Sequence, residues 1–264
     1  MPSVSVRQLI QEAKSRKNND QDRKCETSFG QKPQRSPLVD RQLIRRNVLT
    51  NQEGLGRFEV PGSPRGVYVI DDIVLPEVAA ELAHAIQALP HYKELRGARR
   101  TLPLRIGAGE GAGLIDHLVE ELLASLPQLA ELFGDEPALN HALVNDYESG
   151  CGGIMPHTDG PAYFPVVMIV CLVSATVMQF GKTPDDVETQ VLLPARSLLI
   201  FTGEAYNDYL HSIPFHDTPI EQLPTKRRDL GESVIVDGLL HRGPRLSVTI
   251  RRALVPFEQL AHSK

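Results

Sequence analysis

The sequence predicts a mainly β fold with supporting helices, arranged as a double-stranded β-helix, or jelly roll. Two observations predict it. Two stretches of helical periodicity are followed, from about residue 142, by many short strand-like runs separated by turn residues. The last run, Arg245-Leu246-Ser247-Val248-Thr249-Ile250-Arg251, alternates polar and apolar side chains over seven positions, as a strand with two unlike faces does.

In order, residues 1–60 read as a basic, partly disordered extension, with 12 Lys/Arg against 7 Asp/Glu. Val6, Leu9, Ile10 and Ala13 permit one short helix. Residues 14–37 are too polar to offset their ordering entropy by burial, so a mobile segment is expected there. Leu43-Ile44-Arg45-Arg46 reads as an edge element or as a nucleic-acid contact. The folded domain is expected over 61–264, entered by a strand at 66–72. Leu75-Pro76-Glu77 then opens a helix, with Pro at its start and Glu in its first turn. Val78, Leu82, Ala85, Ile86 and Leu89 mark its buried stripe, and Pro90 ends it.

Residues 91–113 read as a flexible linker or lid. Tyr92, Arg96, Arg99 and Arg100 make its first half basic with one aromatic. Its glycine run at 107–113 lacks the Lys-Ser/Thr of a phosphate loop. A second helix is expected over 114–133, interrupted at Pro127. Strands follow at 142–147, 166–171, 175–180, 188–193, 197–201 and 210–213. Gly181-Lys182-Thr183 is a hairpin turn, because Thr176 stands where a Walker loop needs glycine. Residues 217–232, with Lys226-Arg227-Arg228, read as a surface insertion, and 252–264 as a tail.

The net charge of −5 and pI of about 6.0 argue against a protein that coats polyanions, although a local basic groove is compatible with them. Cys25, Cys151 and Cys171 are sparse and show no CxxC spacing, which fits a reducing compartment. No apolar run reaches membrane length, and the first residues lack the apolar core of a secretory signal. A monomer of the cytoplasm and nucleus, without a membrane partner, is therefore expected.

The chemistry centres on residues 145–159. His157 and Asp159 are two apart, so on an extended strand they share a face. An imidazole and a carboxylate beside a Gly-rich turn can hold one metal ion, and His211 is the best candidate for a third ligand. Two imidazoles and one carboxylate form the facial triad of non-haem Fe(II) oxygenases, which leaves positions open for co-substrate and oxygen. At the other end, Arg245, Ser247, Thr249 and Arg251 share a strand face. Two guanidiniums turned into a fold need anions, and a small dicarboxylate satisfies both.

Asn145-x-Tyr147, His157-x-Asp159, the distal His211 and Arg245-x-Ser247-x-Thr249-x-Arg251, in this order, resemble the AlkB-like iron and 2-oxoglutarate dioxygenases over about residues 66–254. The resemblance implies Fe(II), 2-oxoglutarate and O2 as cofactors, with His157, Asp159 and His211 as ligands. It implies that Arg245 clamps the distal carboxylate of 2-oxoglutarate, supported by Tyr147, and that Arg251 and Asn145 sit near its metal-chelating end. Ser247 stands where most of the family has Asn, so one hydrogen bond to the co-substrate is lost or bridged by water. The implied activity is oxidative demethylation of N-alkylated bases in RNA or single-stranded DNA. Tyr92, Arg96, Arg99 and Arg100 in a nucleotide-recognition lid, and Tyr163 at the pocket mouth, are candidate substrate contacts. The absence of tryptophan and the acidic body keep two alternatives open: a 2-oxoglutarate oxygenase acting on protein or a small molecule, and a catalytically weak nucleic-acid-binding module.

Overall fold

Strands buried on both faces need a cover on each side, and this chain supplies helices for one and a second sheet for the other. The structure, a computed structural model, describes residues 35–46, 48, 54–95, 99–134, 139–148, 152–219 and 229–260. The expected N-terminal helix, most of the mobile segment, Arg96, the 226–228 basic run and the last four residues lie outside these. In chain order the strands are β1 (Val67–Ile70), β2 (Lys93–Leu95), β3 (Arg99–Arg105), β4 (His141–Tyr147), β5 (Ile154–His157), β6 (Tyr163–Cys171) and β7 (Thr176–Gly181). They continue with β8 (Thr189–Leu193), β9 (Leu198–Thr202), β10 (Leu210–Ile213), β11 (Thr218–Pro219), β12 (Val234–Val236), β13 (Leu239–His241) and β14 (Arg245–Ala253). The helices are α1 (Pro76–Gln87), α2 (Leu114–Ser125), α3 (Gln128–Leu132), α4 (Gly203–Asn207) and α5 (Phe257–Leu260).

The fold is mixed α/β, dominated by antiparallel sheets. A seven-stranded sheet runs β1-β9-β6-β14-β4-β3-β2, a four-stranded sheet runs β5-β10-β7-β8, and a small one runs β11-β13-β12. β6 shows how both faces are used. Val166, Met168 and Val170 join the cluster that includes α1 and α2, while Val167, Ile169 and Cys171 join Met178, Phe180, Val191 and Ile213 of the four-stranded sheet. The period of two thus sends alternate residues into two different cores.

Neighbouring strands repeat the arrangement. Leu246, Val248 and Ile250 of β14 and Ala142 and Val144 of β4 face the helices. Pro76 starts α1, and Val78, Ala79, Leu82, Ala83 and Ile86 are its buried face. Pro127 separates α2 from α3, as its missing N–H and its ring require.

Three regions differ from expectation. Residues 93–95 and 99–105 are the antiparallel strands β2 and β3, and β3 pairs with β4 along its whole length, from Arg99↔Tyr147 to Arg105↔His141. The glycine run after it is tied to its own helix: the Asp116 carboxylate accepts from the Gly107 and Gly109 N–H groups at 2.8 and 3.0 Å. Those amides are therefore already engaged and do not cradle a phosphate. Ahead of residue 61, Leu43 and Ile44 are fully buried in the helix-side core. Their N–H groups donate to Glu121 at 2.6 and 3.0 Å, which makes this segment a packed edge rather than a nucleic-acid contact. Finally, Thr218–Pro219, expected in a surface insertion, pairs with β13. Gly181 ends β7, the turn follows at 182–185, and a Cβ on Gly181 would collide with the Asp186 carbonyl.

Candidate active site

β14, its partner β4 and the next strand β3 build the floor of a cavity between the two larger sheets. In register across β3, β4 and β14 lie Arg99, Tyr147 and Arg245; then Thr101, Asn145 and Ser247; then Pro103, Leu143 and Thr249; and last Arg105, His141 and Arg251. All of these except Arg105 line a cavity of about 880 Å³. Of the residues between them, Leu102, Leu104, Ala142, Val144, Leu246, Val248 and Ile250 belong to the helix-side core, and Arg100 and Asp146 pair with each other.

The opposite wall carries the candidate ligands. β5 and β10 are antiparallel neighbours with His157 directly across from His211, and the two rings lie 4.2 Å apart between centroids. Asp159 follows two residues after β5 ends. The ligating atoms of His157, Asp159 and His211 all lie within 4.8 Å of one another. A Cβ on Gly153 would meet the Ile213 carbonyl, so only glycine lets the start of β5 sit this close to β10. Behind Asp159, the Tyr206 hydroxyl donates to the Gly160 carbonyl at 2.9 Å and steadies the loop.

The electrostatics suit a cation. Burial, with His157 alongside, pushes His211 down to about 3, which keeps it the neutral imidazole that metals bind. Burial pushes the Asp159 carboxyl up, but Arg251 and the two histidines outweigh it and hold the group below its ordinary value. Arg251 donates to Asp159 Oδ1 at 2.5 Å, and Oδ2 has no partner. The His157 Nδ1 lies 2.9 Å from the Met155 carbonyl, the kind of contact that fixes a tautomer and leaves Nε2 to ligate.

A second set of polar atoms is buried without partners on the cavity floor: Asn145 Oδ1, Tyr147 Oη, Ser247 Oγ and Arg245 Nε. Arg245 is 4% exposed, and its contacts are the Cys171 sulfur at 3.7 Å and the Tyr147 ring. A fold seldom leaves so many buried donors and acceptors unmade unless a ligand completes them. A carboxylate at the Arg245 end would accept from Arg245 and from the Tyr147 and Ser247 hydroxyls, and a cation would take Asp159 Oδ2, while Arg251 is already paired with Asp159; the residues present fit both groups.

The expected substrate contacts divide. Arg99 and Tyr163 line the cavity. Tyr92 and Arg100 do not, which corrects the expectation for them. Successive residues of β3 face opposite ways, so Arg100 points to the helix side. There it donates to Asp146 at 2.7 Å, and Gln87 holds the same carboxylate at 3.1 Å. The Tyr92 hydroxyl donates to the Ile86 carbonyl and its ring lies under Arg100. Phe164, next to Tyr163, likewise turns away and packs on Phe133. Arg100→Ala should therefore lower stability by about 1–3 kcal/mol, because it strips a buried carboxylate of its charged partner. Denaturant unfolding reads that loss, while the KM for any substrate should stay at the wild-type value.

Two cavity residues escaped the sequence. His141 is 3% exposed and in register with Arg251. Burial and then the Arg251 charge push it down to about 3. Extending the alternation of Tyr147, Asn145 and Leu143 by one more step finds it. Phe257, on α5, had no signal.

Two histidines and a carboxylate set against buried, anion-seeking arginines define the class: this is the donor set of Fe(II)/2-oxoglutarate oxygenases. The family model of the 2OG-Fe(II) oxygenase superfamily matches residues 17–251. The chain belongs to that superfamily and, within it, to the AlkB family. It is 31% identical over 182 residues to "Probable RNA/DNA demethylase ALKBH6" of Danio rerio, across 63% of this chain and 77% of that protein. It is 38% identical over 112 residues to "tRNA (carboxymethyluridine(34)-5-O)-methyltransferase ALKBH8" of Mus musculus, across 41% of this chain but 17% of that protein. The corresponding protein of Xenopus tropicalis is 27% identical over 172 residues, across 58% of this chain and 26% of its own length. Among the described residues no helix is long and apolar enough to cross a membrane.

Proposed function

We propose that the protein is an Fe(II)/2-oxoglutarate-dependent dioxygenase that demethylates N-alkylated bases in RNA or single-stranded DNA, on a fold we read as a double-stranded β-helix. The observation that carries this reading is the meeting of His157, Asp159 and His211 over a floor whose buried Arg245 and partnerless Tyr147 and Ser247 hydroxyls call for an anion. His157, Asp159 and His211 would hold the iron. Arg245, with Tyr147 beside it, would take the distal carboxylate of 2-oxoglutarate through paired hydrogen bonds. Asn145 and Ser247 lie in the register between the Arg245 and Arg251 rows and would face the bound diacid. Arg251 orients Asp159 and places a positive charge near the chelating end. With iron bound, the site would couple an N–CH3 group, O2 and 2-oxoglutarate to N–H, formaldehyde, succinate and CO2. Lys93 and Leu95 of β2 and Phe257 and Leu260 of α5 also line the cavity and would meet a substrate bound there.

The test is incubation of the iron-loaded protein with single-stranded oligonucleotides bearing one methylated base, followed by mass detection of the demethylated product and assay of formaldehyde. Succinate release without demethylation of any base would remove nucleic acid as substrate. It would favour a protein or small-molecule substrate, a reading supported by the loss of Tyr92 and Arg100 from the cavity. Neither succinate nor iron binding would leave the catalytically weak binding module.

A further inference from the structure

The strand order β11-β13-β12 leaves β12 at the edge of the small sheet. A two-residue turn joins it to β13: Asp237 and Gly238 have φ of 50° and 74°, as the central residues of a type I′ turn do. Val236↔Leu239 closes the hairpin, followed by Ile235↔Leu240 and Val234↔His241. In an antiparallel ladder alternate residues exchange both hydrogen bonds with their partner. Val236 and Val234 do so with β13, so Ile235 turns its N–H and C=O to the open edge. Among the described residues no hydrogen bond uses either group. The side chains are as bare as the backbone: Val234 is 54%, Ile235 37% and Val236 48% exposed. Other sheet edges here are blunted, as an edge must be to avoid pairing with another chain. β11 carries Pro219, β5 carries Pro156, β2 carries exposed Lys93 and Glu94, and Tyr68 of β1 is bridged by Glu59. β12 has none of these devices, and its three residues are β-branched aliphatics, the type that fits a paired strand.

We propose that β12 is a contact between two copies of this chain, paired antiparallel about a two-fold axis through Ile235. The proposal is independent of what the cavity binds. On that axis the Ile235 residues of the two copies exchange both of their outward hydrogen bonds. Val234 of each copy faces Val236 of the other, which gathers four valines on one face of the joined sheet. The flanking charges select this register. Antiparallel pairing sets exposed Asp237 opposite Ser233, and exposed Glu232 opposite Gly238. A parallel pair would align Asp237 with Asp237 and Glu232 with Glu232, like charges at both ends. The antiparallel pair is also closed: it consumes the β12 edge of both copies, so assembly stops at two. Three half-exposed aliphatic side chains per copy fall well short of the roughly 800 Å² per partner of a standard interface, so the dimer is weak and forms only in concentrated protein. The monomer expected from the sequence is then the dilute form.

The experiment is sedimentation equilibrium of the full chain from about 10 µM to about 1 mM, the range in which a contact this small associates. The samples are the wild type, Ile235→Lys and Val187→Lys. Val187, between β7 and β8, is 46% exposed and controls for the loss of any apolar surface. The wild-type mass should rise with concentration from one chain toward two. Ile235→Lys, which sets two ammonium groups face to face on the axis, should stay at one chain throughout, and Val187→Lys should follow the wild type. A second measurement reads the register without adding charge. Full chains with Cys25→Ser and Cys151→Ser, in which the remaining Cys171 is buried, receive either Val234→Cys or Val236→Cys. They are oxidised separately and as an equal mixture. The mixture should cross-link severalfold faster than either chain alone, because only there do two introduced thiols face each other across the pair. A wild type that stays at one chain up to the highest concentration overturns the proposal. So does an Ile235→Lys chain that still associates, or a mixture that cross-links no faster than its components.

Discussion

Asp159→Ala is expected to abolish iron-dependent turnover and, at the same time, to destabilise the fold. The carboxylate does two jobs. Its Oδ2 is partnerless beside two imidazoles, and its Oδ1 neutralises Arg251, whose side chain is 6% exposed. Removing it takes a ligand from the metal and leaves a buried cation alone. Loss of a ligand's hydrogen-bond partner costs roughly ten- to a hundredfold in metal affinity or activity, and loss of the ligand itself should exceed that. Breaking a buried ion pair from one side costs about 3–5 kcal/mol. His211→Ala should match the loss of activity without the second penalty, because it strands no charge. Asp159→Asn, which can still accept from Arg251, should fall between them in stability. Metal titration and denaturant unfolding on the same samples separate the two effects. An Asp159→Ala protein that binds Fe(II) as tightly as the wild type would refute the ligand assignment.

Much of this was legible because a strand's period of two is unforgiving. One residue of slippage would exchange Arg245, Ser247, Thr249 and Arg251 for Leu246, Val248 and Ile250, so the written pattern fixes which set faces the cavity. The same rule places His157 and, by register, His211. What the sequence hid came from two sources. Between residues 91 and 105 the pattern is dominated by charge, and Arg99 and Arg100 look alike. Only pairing with β4 shows that one faces the cavity and the other meets Asp146. Partners distant in sequence hide other contacts in the same way: nothing in Leu43-Ile44 indicates Glu121, and nothing in Phe257 indicates His141. Glycine at 107–113 suggested freedom, whereas Asp116 removes it.

Arg245→Met is the complementary case, with an expected rise in the 2-oxoglutarate KM of roughly a hundredfold and little loss of stability. Arg245 is buried, yet among the described residues no carboxylate pairs with it, and its Nε is unsatisfied. A charge kept that way is a cost to the ligand-free fold, so a methionine of similar length should leave stability equal or higher. The co-substrate repays that cost: truncating one side of a buried charge pair removes about 2–5 kcal/mol of binding, and ~2.7 kcal/mol is a hundredfold. The signature lies in the coupling. Because a ligand that binds only the folded state stabilises it by RT ln(1 + [L]/Kd), 2-oxoglutarate should raise the unfolding temperature of the wild type and far less that of Arg245→Met at the same concentration. Arg99→Ala is the control, since Arg99 sits in the same row on the far side of Tyr147. If the co-substrate shift survives in Arg245→Met and disappears in Arg99→Ala, the distal carboxylate is held from β3, and the β14 clamp is wrong.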